Sequence, residues 1–398
     1  MMAGIVALCA SYVFSQFFRA FLAVLNEVLK NDLGMSAVDL AFASGAWFLA
    51  FAIFQFPVGI LLDTRGPRRT TGYIFTIFCG GGAILFACAP SSAFVILAMG
   101  LIGIGCSPAL MGPMYIFVRE YNPARFATFV SIFIGIGTLG NIGSSAPLAA
   151  AVEAFGWRTC ALFLGVIAIL VGLAILALVR DPQEVGIQEG RPKGGFADLF
   201  RIRELWMIFP IILAGYATAA SIRGSWVGPL HVDLYGYDNL ETGNAVLIMA
   251  IALVLGTLAF GPLDRIFNSR KWVVFSGSTI VFAICAWLSF GLPENPVILT
   301  WAIAGIAFFG AAYAVQMAHG KSFVPDHLIG RGVTLLNFCA IGGAGLLQWA
   351  SGPVVEHYSV AGDMQPQYQA LFGFYALTTL AALAIYVFSK DAKPHASG

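Results

Sequence analysis

Charge is what this chain has least of. Only 10% of its 398 residues are Asp, Glu, Lys or Arg, against roughly a quarter in an ordinary soluble domain. With 59% of residues hydrophobic, a water-soluble enzyme is excluded and lipid becomes the expected solvent for most of the chain. Neither sign of charge prevails: 21 basic and 20 acidic side chains leave +1, too little to attract nucleic acid. Metal and redox frameworks are also missing. The seven cysteines (Cys9, Cys79, Cys88, Cys106, Cys160, Cys285 and Cys339) form no CxxC pair, and nearly all lie inside apolar runs. They read as small core residues. The five histidines are scattered (His231, His319, His327, His357 and His395), with no HExxH and no acid-rich span. No enzyme activity, metal or other cofactor is expected. No nucleotide-binding motif is present either, so ion or solute gradients are the expected energy source.

What the chain does have is long apolar runs. Polar punctuation cuts it into twelve, near 5–29, 40–62, 71–90, 92–118, 127–151, 158–179, 205–230, 242–263, 272–292, 296–319, 333–355 and 369–389. Each approaches or exceeds the roughly 20 residues that an α-helix needs to cross a bilayer. The short alternating segments of a membrane β-barrel are absent. The N-terminal MMAGIVALCASYVF has no basic leader or small-residue cleavage site, so its apolar stretch is read as the first span. The polar piece from Arg180 to Glu204 divides the spans into six and six. The expected organisation is an N-terminal bundle over 1–180, a linker over 181–204, a C-terminal bundle over 205–390 and a tail over 391–398.

Basic residues in short connections set the orientation of such a chain. With the N-terminus inside, the inner connections hold 17 of the 21, among them Arg65, Arg68, Arg69, Arg119, Arg125, Arg265, Arg270 and Lys271. The outer ones hold only Lys30 and Arg158. Both termini are therefore expected in the cytoplasm, in a multi-pass protein of a bacterial inner membrane. The remaining two basic residues, Arg19 and Arg223, fall within spans.

The halves echo one another. GILLDTRGPRR (Gly59 to Arg69) faces GPLDRIFNSRK (Gly261 to Lys271), each with a glycine, then Asp63 or Asp264, then a basic cluster. Tyr12 precedes Arg19 by seven residues in span one, and Tyr216 precedes Arg223 by seven in span seven. The turns REYNPAR and PDHLIGR each join an acid (Glu120, Asp326) to a basic residue (Arg125, Arg331) entering the next helix. On these features the chain resembles the major facilitator superfamily of secondary transporters. Gly59, Asp63, Gly66, Arg68 and Arg69 match its Gly-x-x-x-Asp-basic-x-Gly-basic-basic loop, while Thr64 and Pro67 depart from it at basic positions. The second copy keeps Asp264, Arg265 and Arg270 without the intervening glycine. The resemblance implies an all-α membrane fold of two pseudo-symmetric six-helix bundles. It also implies a cytoplasmic gate built on Asp63, Arg68, Glu120, Arg125, Asp264 and Arg265, although such clusters also simply set topology.

Two arginines in lipid require a reason, because a charge at the bilayer centre costs at least about 2.5–3.5 kcal/mol. Seven residues make 700°, within about 20° of two helical turns. Tyr12, Arg19 and Asn26 therefore share a face of a continuous helix, and so do Tyr216 and Arg223. Acids are scarce in the spans away from their ends, and Glu27 lies about 80° around from Arg19. The anion suited to a planar guanidinium fork is then the substrate. Hydrogen bonds to carbonyls and snorkelling are the structural alternatives. The arrangement is similar to the organophosphate-antiporter branch, which uses one arginine in span one and one in span seven.

Tyr313, Gln316 and His319 form a further polar face, where His319 either couples protons or is a satisfied helix-end histidine. Gln55, Tyr115, Asn141, Asn337 and Gln348 read as cavity lining or interhelical hydrogen bonds. Trp47, Trp226 and Trp349 read as substrate contacts or packing. GIGTLGNIG (Gly135 to Gly143) and IGGAG (Ile341 to Gly345) read as close helix packing, since neither follows a strand. The expected function is secondary transport of a small organic anion by alternating access, as antiporter or proton symporter. The expected partners are that anion, protons and the lipid bilayer, with the chain acting as a monomer. The alternative is a proton-coupled exporter of drugs or other amphipathic compounds. Met99, standing where that branch places an arginine, and Ala146-Pro147, without its glycine pair, speak against it.

Overall fold

The computed structural model describes residues 2–120, 133, 135–182, 196–325, 328–360 and 362–393. Among them the chain is helical apart from one isolated bridge between Val360 and Asp363. Nine helical segments of the described chain are long and apolar enough to cross a membrane, and two shorter apolar helices, Ala3–Phe18 and Ala146–Phe155, accompany them. One of the nine, Ala37–Ala87, has 51 residues and holds two spans folded back at Gly66. Described helices fall in each of the twelve apolar stretches, although residues 127–132 and 134 of the fifth lie outside the described residues. The chain divides into two compact units, Met1–Gly190 with Asp238–Gly243, and Arg191–Tyr237 with Asn244–Gly398.

In the first unit, α1 (Met2–Phe18) is followed by the short α2 (Phe21–Val24) and α3 (Asn26–Leu33). The first span is therefore not one continuous helix: Arg19 and Ala20 form a turn between α1 and α2. Neither glycine nor proline marks this break. α4 (Ala37–Ile74) opens on a capping box in which Ser36 Oγ accepts from the Asp39 N–H and an Asp39 carboxylate oxygen accepts from the Ser36 N–H. Both orphan donors are satisfied, so the helix starts sharply. It breaks at Gly66, with φ 80° and ψ 162°, a region open essentially to glycine alone.

The third span continues through a π-helical turn, Phe75–Gly80, into α5 (Gly81–Ala87). After α6 (Ser92–Cys106), α7 (Pro108–Glu120), α8 (Leu139–Gly143) and α9 (Ala146–Phe155), α10 (Trp157–Leu178) closes the unit. α10 turns Leu162, Phe163, Val166, Leu170 and Leu173 outward and buries Ala161, Gly165, Ala168 and Gly172. Large side chains outside and small ones inside is the pattern of a helix solvated by lipid, whose contacts depend on close backbone approach. A Cβ at Gly165 would stand 3.2 Å from the Gly80 carbonyl. The glycine stretches of spans five and eleven serve the same end. A Cβ at Gly140 would collide with the Val13 carbonyl, and one at Gly343 with the Leu213 carbonyl.

The second unit runs α11 (Phe196–Leu199), α12 (Arg203–Ser221), a π-helical turn Ile222–Trp226, α13 (Val227–Tyr235), α14 (Asn239–Ile266), α15 (Arg270–Phe290), α16 (Pro296–Phe309), α17 (Tyr313–Lys321), α18 (Ile329–His357) and α19 (Gln365–Tyr386). α12 packs on α18 and α15 on α19. Arg223 is the second residue of the π-helical turn.

Candidate functional site

Both intramembrane arginines sit where the helix is interrupted. Arg19 occupies the turn after α1 and is 8% exposed; Arg223 lies in the π-helical turn and is 2% exposed. Interruptions of this kind release backbone groups from the regular helical ladder and recur at functional sites.

In the first unit the Arg19 guanidinium lies over two rings of α4, 5.5 Å from the centre of Trp47 and 5.4 Å from that of Phe51. The two rings stack at 5.1 Å and 19°. Trp47 is completely buried, so the cation meets the faces of an aromatic pair in a dry setting, where such contacts are strongest. Tyr12 stacks on Phe133 at 5.2 Å and its hydroxyl accepts from Gln16 Nε2 at 2.7 Å. Asn26 is buried at the start of α3. The breaks at Arg19–Ala20 and at Leu25 lie between it and Tyr12. The face expected for Tyr12, Arg19 and Asn26 therefore does not run through to Asn26.

In the second unit Tyr216 and Arg223 line one narrow cleft of about 10 Å³, the size of about one water molecule, together with Ala219, Ala220, Leu253 and Ala307. The ring of Tyr216 lies 5.4 Å from that of Tyr313, whose hydroxyl donates to Asn337 Oδ1 at 2.5 Å. Gln316 is buried against Gly215, and its Oε1 accepts no hydrogen bond among the described residues. The π-helical turn is tied down on its other side. Trp226 Nε1 donates to Ser351 Oγ at 2.9 Å, Ser351 donates to the Gln348 carbonyl at 2.7 Å, and Gln348 Nε2 donates to Ser225 Oγ. Gln348 and Trp226 thus serve packing and hydrogen bonding, and Trp349 faces outward.

His319 belongs to a different place. A carbonyl only accepts, so the 2.9 Å contact of Nε2 with the Lys390 carbonyl makes Nε2 the donor, and Nδ1 then accepts from the Tyr386 hydroxyl at 2.7 Å. Both ring nitrogens are satisfied, and the residue does not line the Arg223 cleft.

Among the residues expected to form a gate, Arg68 donates its N–H to Asp181 Oδ1 at 2.8 Å and its Nε to the Leu176 carbonyl at 2.5 Å. Asp63 is half-buried and Arg265 exposed. The buried Asp264 meets Arg270 Nε at 3.4 Å, and Arg270 also donates to Ser322 Oγ at 2.5 Å. Asp391 Oδ1 accepts from the Lys271 N–H at 3.0 Å. Burial pushes the Asp391 carboxyl up, but the Ser269 hydroxyl and the Lys271 N–H outweigh it and hold its pKa below the ordinary value. Glu120 ends α7; Arg125 and Asp326 lie outside the described residues.

A family model described as Major Facilitator Superfamily matches residues 8–348. The chain belongs to the Major Facilitator Superfamily. This is a family of membrane transporters rather than enzymes, and the chain is a multi-pass membrane protein. It is 26% identical over 282 residues to a probable L-galactonate transporter of Escherichia coli K12, covering 65% of this chain and 59% of that protein. The chain thus spans less than two thirds of that relative's length. It is 22% identical over 344 residues to the sialic acid transporter NanX of the same organism, covering 83% and 82%. Among solved structures, a D-xylose-proton symporter superposes with a TM-score of 0.74 at 14% identity, covering 98% of each chain. That likeness shows the fold.

Within this superfamily chain, sequence reading missed Asp181 and Asp391, which cap the third and ninth spans from distant segments. The one signal for them was a shared basic-Asp pair, Arg180-Asp181 and Lys390-Asp391, after the last span of each half. It missed Phe51, which follows Trp47 at i+4, and Gln16, which follows Tyr12 at i+4.

Proposed function

We propose that this chain is a secondary transporter that moves a small organic anion by alternating access, as antiporter or proton symporter, with Arg19 and Arg223 as its anion ligands. The observation that carries the reading is the burial of one arginine at an interruption of the first span and one at an interruption of the seventh. Each costs at least about 2.5–3.5 kcal/mol in lipid, and each is a planar, permanently charged fork matched to a carboxylate or phosphate. The Arg19 guanidinium, held over Trp47 and Phe51, is pre-positioned rather than flexible. Tyr216 lines the Arg223 cleft, Tyr12 precedes Arg19 by seven residues, and Gln316 offers a buried amide. The names of the relatives support a carboxylate, since L-galactonate and sialic acid are both sugar acids. A sugar acid is the substrate class we favour.

The Asp63 and Asp264 loops, with Arg68, Glu120, Arg125 and Arg265, are proposed as gate elements on the cytoplasmic side of a chain organised as bundles over 1–180 and 205–390. Both termini are proposed to be cytoplasmic in a bacterial inner membrane. His319 is assigned to holding the Lys390 segment, because its two nitrogens are engaged there.

The test is thermal stabilisation of the purified protein by a panel of sugar acids, phosphate esters, dicarboxylates, amino acids and cationic drugs. Stabilisation by one anion class, lost in Arg19→Ala and in Arg223→Ala, is the expected result. Stabilisation only by cations or neutral amphipaths, unchanged in both variants, would overturn the reading and favour an exporter.

A further inference from the structure

A second basic site lies away from the two intramembrane arginines. An open cleft of about 320 Å³ is lined by Leu61, Arg65, Arg69, Thr70, Tyr73 and Ile74. The bend at Gly66 makes it. Leu61 and Arg65 sit one turn apart before the break, while Arg69 with Tyr73, and Thr70 with Ile74, sit one turn apart after it. Asp181 accepts from the backbone N–H of the neighbouring Arg68, whose Nε donates to the Leu176 carbonyl. Among the described residues neither Arg65 nor Arg69 takes part in an ion pair or hydrogen bond, and both are exposed.

Thr70 supplies an independent observation. A threonine inside a helix ordinarily returns its hydroxyl to the carbonyl four residues back, as Thr64 does to Ile60 at 2.9 Å and Thr76 to Gly72 at 2.8 Å. For Thr70 that carbonyl belongs to Gly66, where the helix is broken. Its hydroxyl has no hydrogen-bond partner among the described residues, although the residue is only 3% exposed. A buried polar group left unsatisfied costs about 1–3 kcal/mol, and an acceptor oxygen in the cleft removes that cost. Two guanidinium forks and a hydroxyl donor together define a site for a phosphate group.

The surroundings select its source. Tyr73, 55% exposed, lines the cleft; Ile77, one helical turn beyond it, is 59% exposed, and Ile60, next to the lining Leu61 in the chain, is 66% exposed. A soluble phosphate has no use for such a margin. A lipid does, with its phosphodiester between the arginines, Tyr73 at headgroup depth and its chains along the isoleucines. The basic loops also assign this end of the spans to the leaflet that holds anionic lipid. We propose that the cleft at Arg65, Arg69 and Thr70 binds the phosphodiester headgroup of an anionic phospholipid. This does not depend on the identity of the transported anion.

The experiment uses the full chain in nanodiscs of phosphatidylcholine with increasing phosphatidylglycerol, reading retained phosphatidylglycerol by native mass spectrometry and the melting temperature in parallel. The wild type should retain phosphatidylglycerol and melt higher in its presence. Arg65→Gln/Arg69→Gln should weaken retention by about 30-fold, at roughly 1 kcal/mol per basic residue near the membrane surface. Thr70→Val should weaken it less, and Arg65→Lys/Arg69→Lys should keep most of it. Arg201→Gln/Lys393→Gln removes two basic residues elsewhere and should leave retention unchanged. If the glutamine pair fails to fold, the Thr70→Val and lysine variants still decide the matter, since retention equal to wild type in Thr70→Val would overturn the site. Equal losses in both charge-removing pairs would overturn it in favour of diffuse attraction. Stabilisation by inorganic phosphate or glycerol 3-phosphate in phosphatidylcholine alone, matching that by phosphatidylglycerol, would overturn the lipid assignment in favour of a soluble phosphate.

Discussion

Arg19 is held by rings rather than by length of side chain, and that has a measurable consequence. A desolvated cation–π contact is worth about 2 kcal/mol, so replacing Trp47 by Leu should loosen the guanidinium and weaken substrate affinity about ten-fold or more. Trp47→Phe keeps an aromatic face and should stay much closer to wild type. The concentration dependence of exchange in proteoliposomes checks this; equal effects of the two substitutions would show that Trp47 only fills space. The two arginines and their tyrosines were legible in the sequence because charge is so rare in these spans that each instance stands out. What surrounds them was not. Nothing in FFRAF marks the turn that ends α1 at Phe18, and nothing in IRGSW marks a π-helical turn. The departures from a regular helix come from tertiary contacts such as those of Gln348 and Ser351 with Ser225 and Trp226, which local pattern does not carry.

Elements in this protein are started and stopped by groups remote in sequence. Asp181 caps the third span after a separation of 113 residues, and Asp391 the ninth after 120. The loop motifs from Gly59 to Arg69 and from Gly261 to Lys271 could be read as turns with charges; their capping acids could not, since they arrive from the ends of spans six and twelve. Removing either carboxylate, Asp181→Ala or Asp391→Ala, should cost about 1 kcal/mol, the usual worth of an N-terminal cap. For Asp391 the effect depends on pH. Its folded pKa is depressed, so its contribution is complete above the unfolded carboxylate value of about 4 and is lost as pH falls through the lower folded value. The melting-temperature difference between wild type and Asp391→Ala should therefore vanish in strong acid; a constant difference would show that the lost interaction is not ionic. Gly66→Ala should be worse than either. It combines a backbone region costing about 1–3 kcal/mol for other residues with a Cβ only 2.6 Å from the Asp181 carboxylate.

At the scale of the whole molecule, fold class followed from composition, since twelve apolar stretches in 398 residues leave little else to build. The orientation proposed from the basic loops is open to a direct check. Cys88 is exposed at the end of the third span, on the face assigned to the outside. In a Cys160→Ser background a membrane-impermeant maleimide should label it in intact cells; labelling only in inverted vesicles would reverse the topology. The central claim, that two buried arginines grip an organic anion, is tested most directly by counterflow of labelled L-galactonate and related sugar acids into proteoliposomes with Arg19→Lys and Arg223→Lys. Lysine keeps the charge but loses the fork, so exchange of the favoured anion should fall by at least ten-fold in each variant while the protein stays folded. Exchange at the wild-type rate in both would contradict the account.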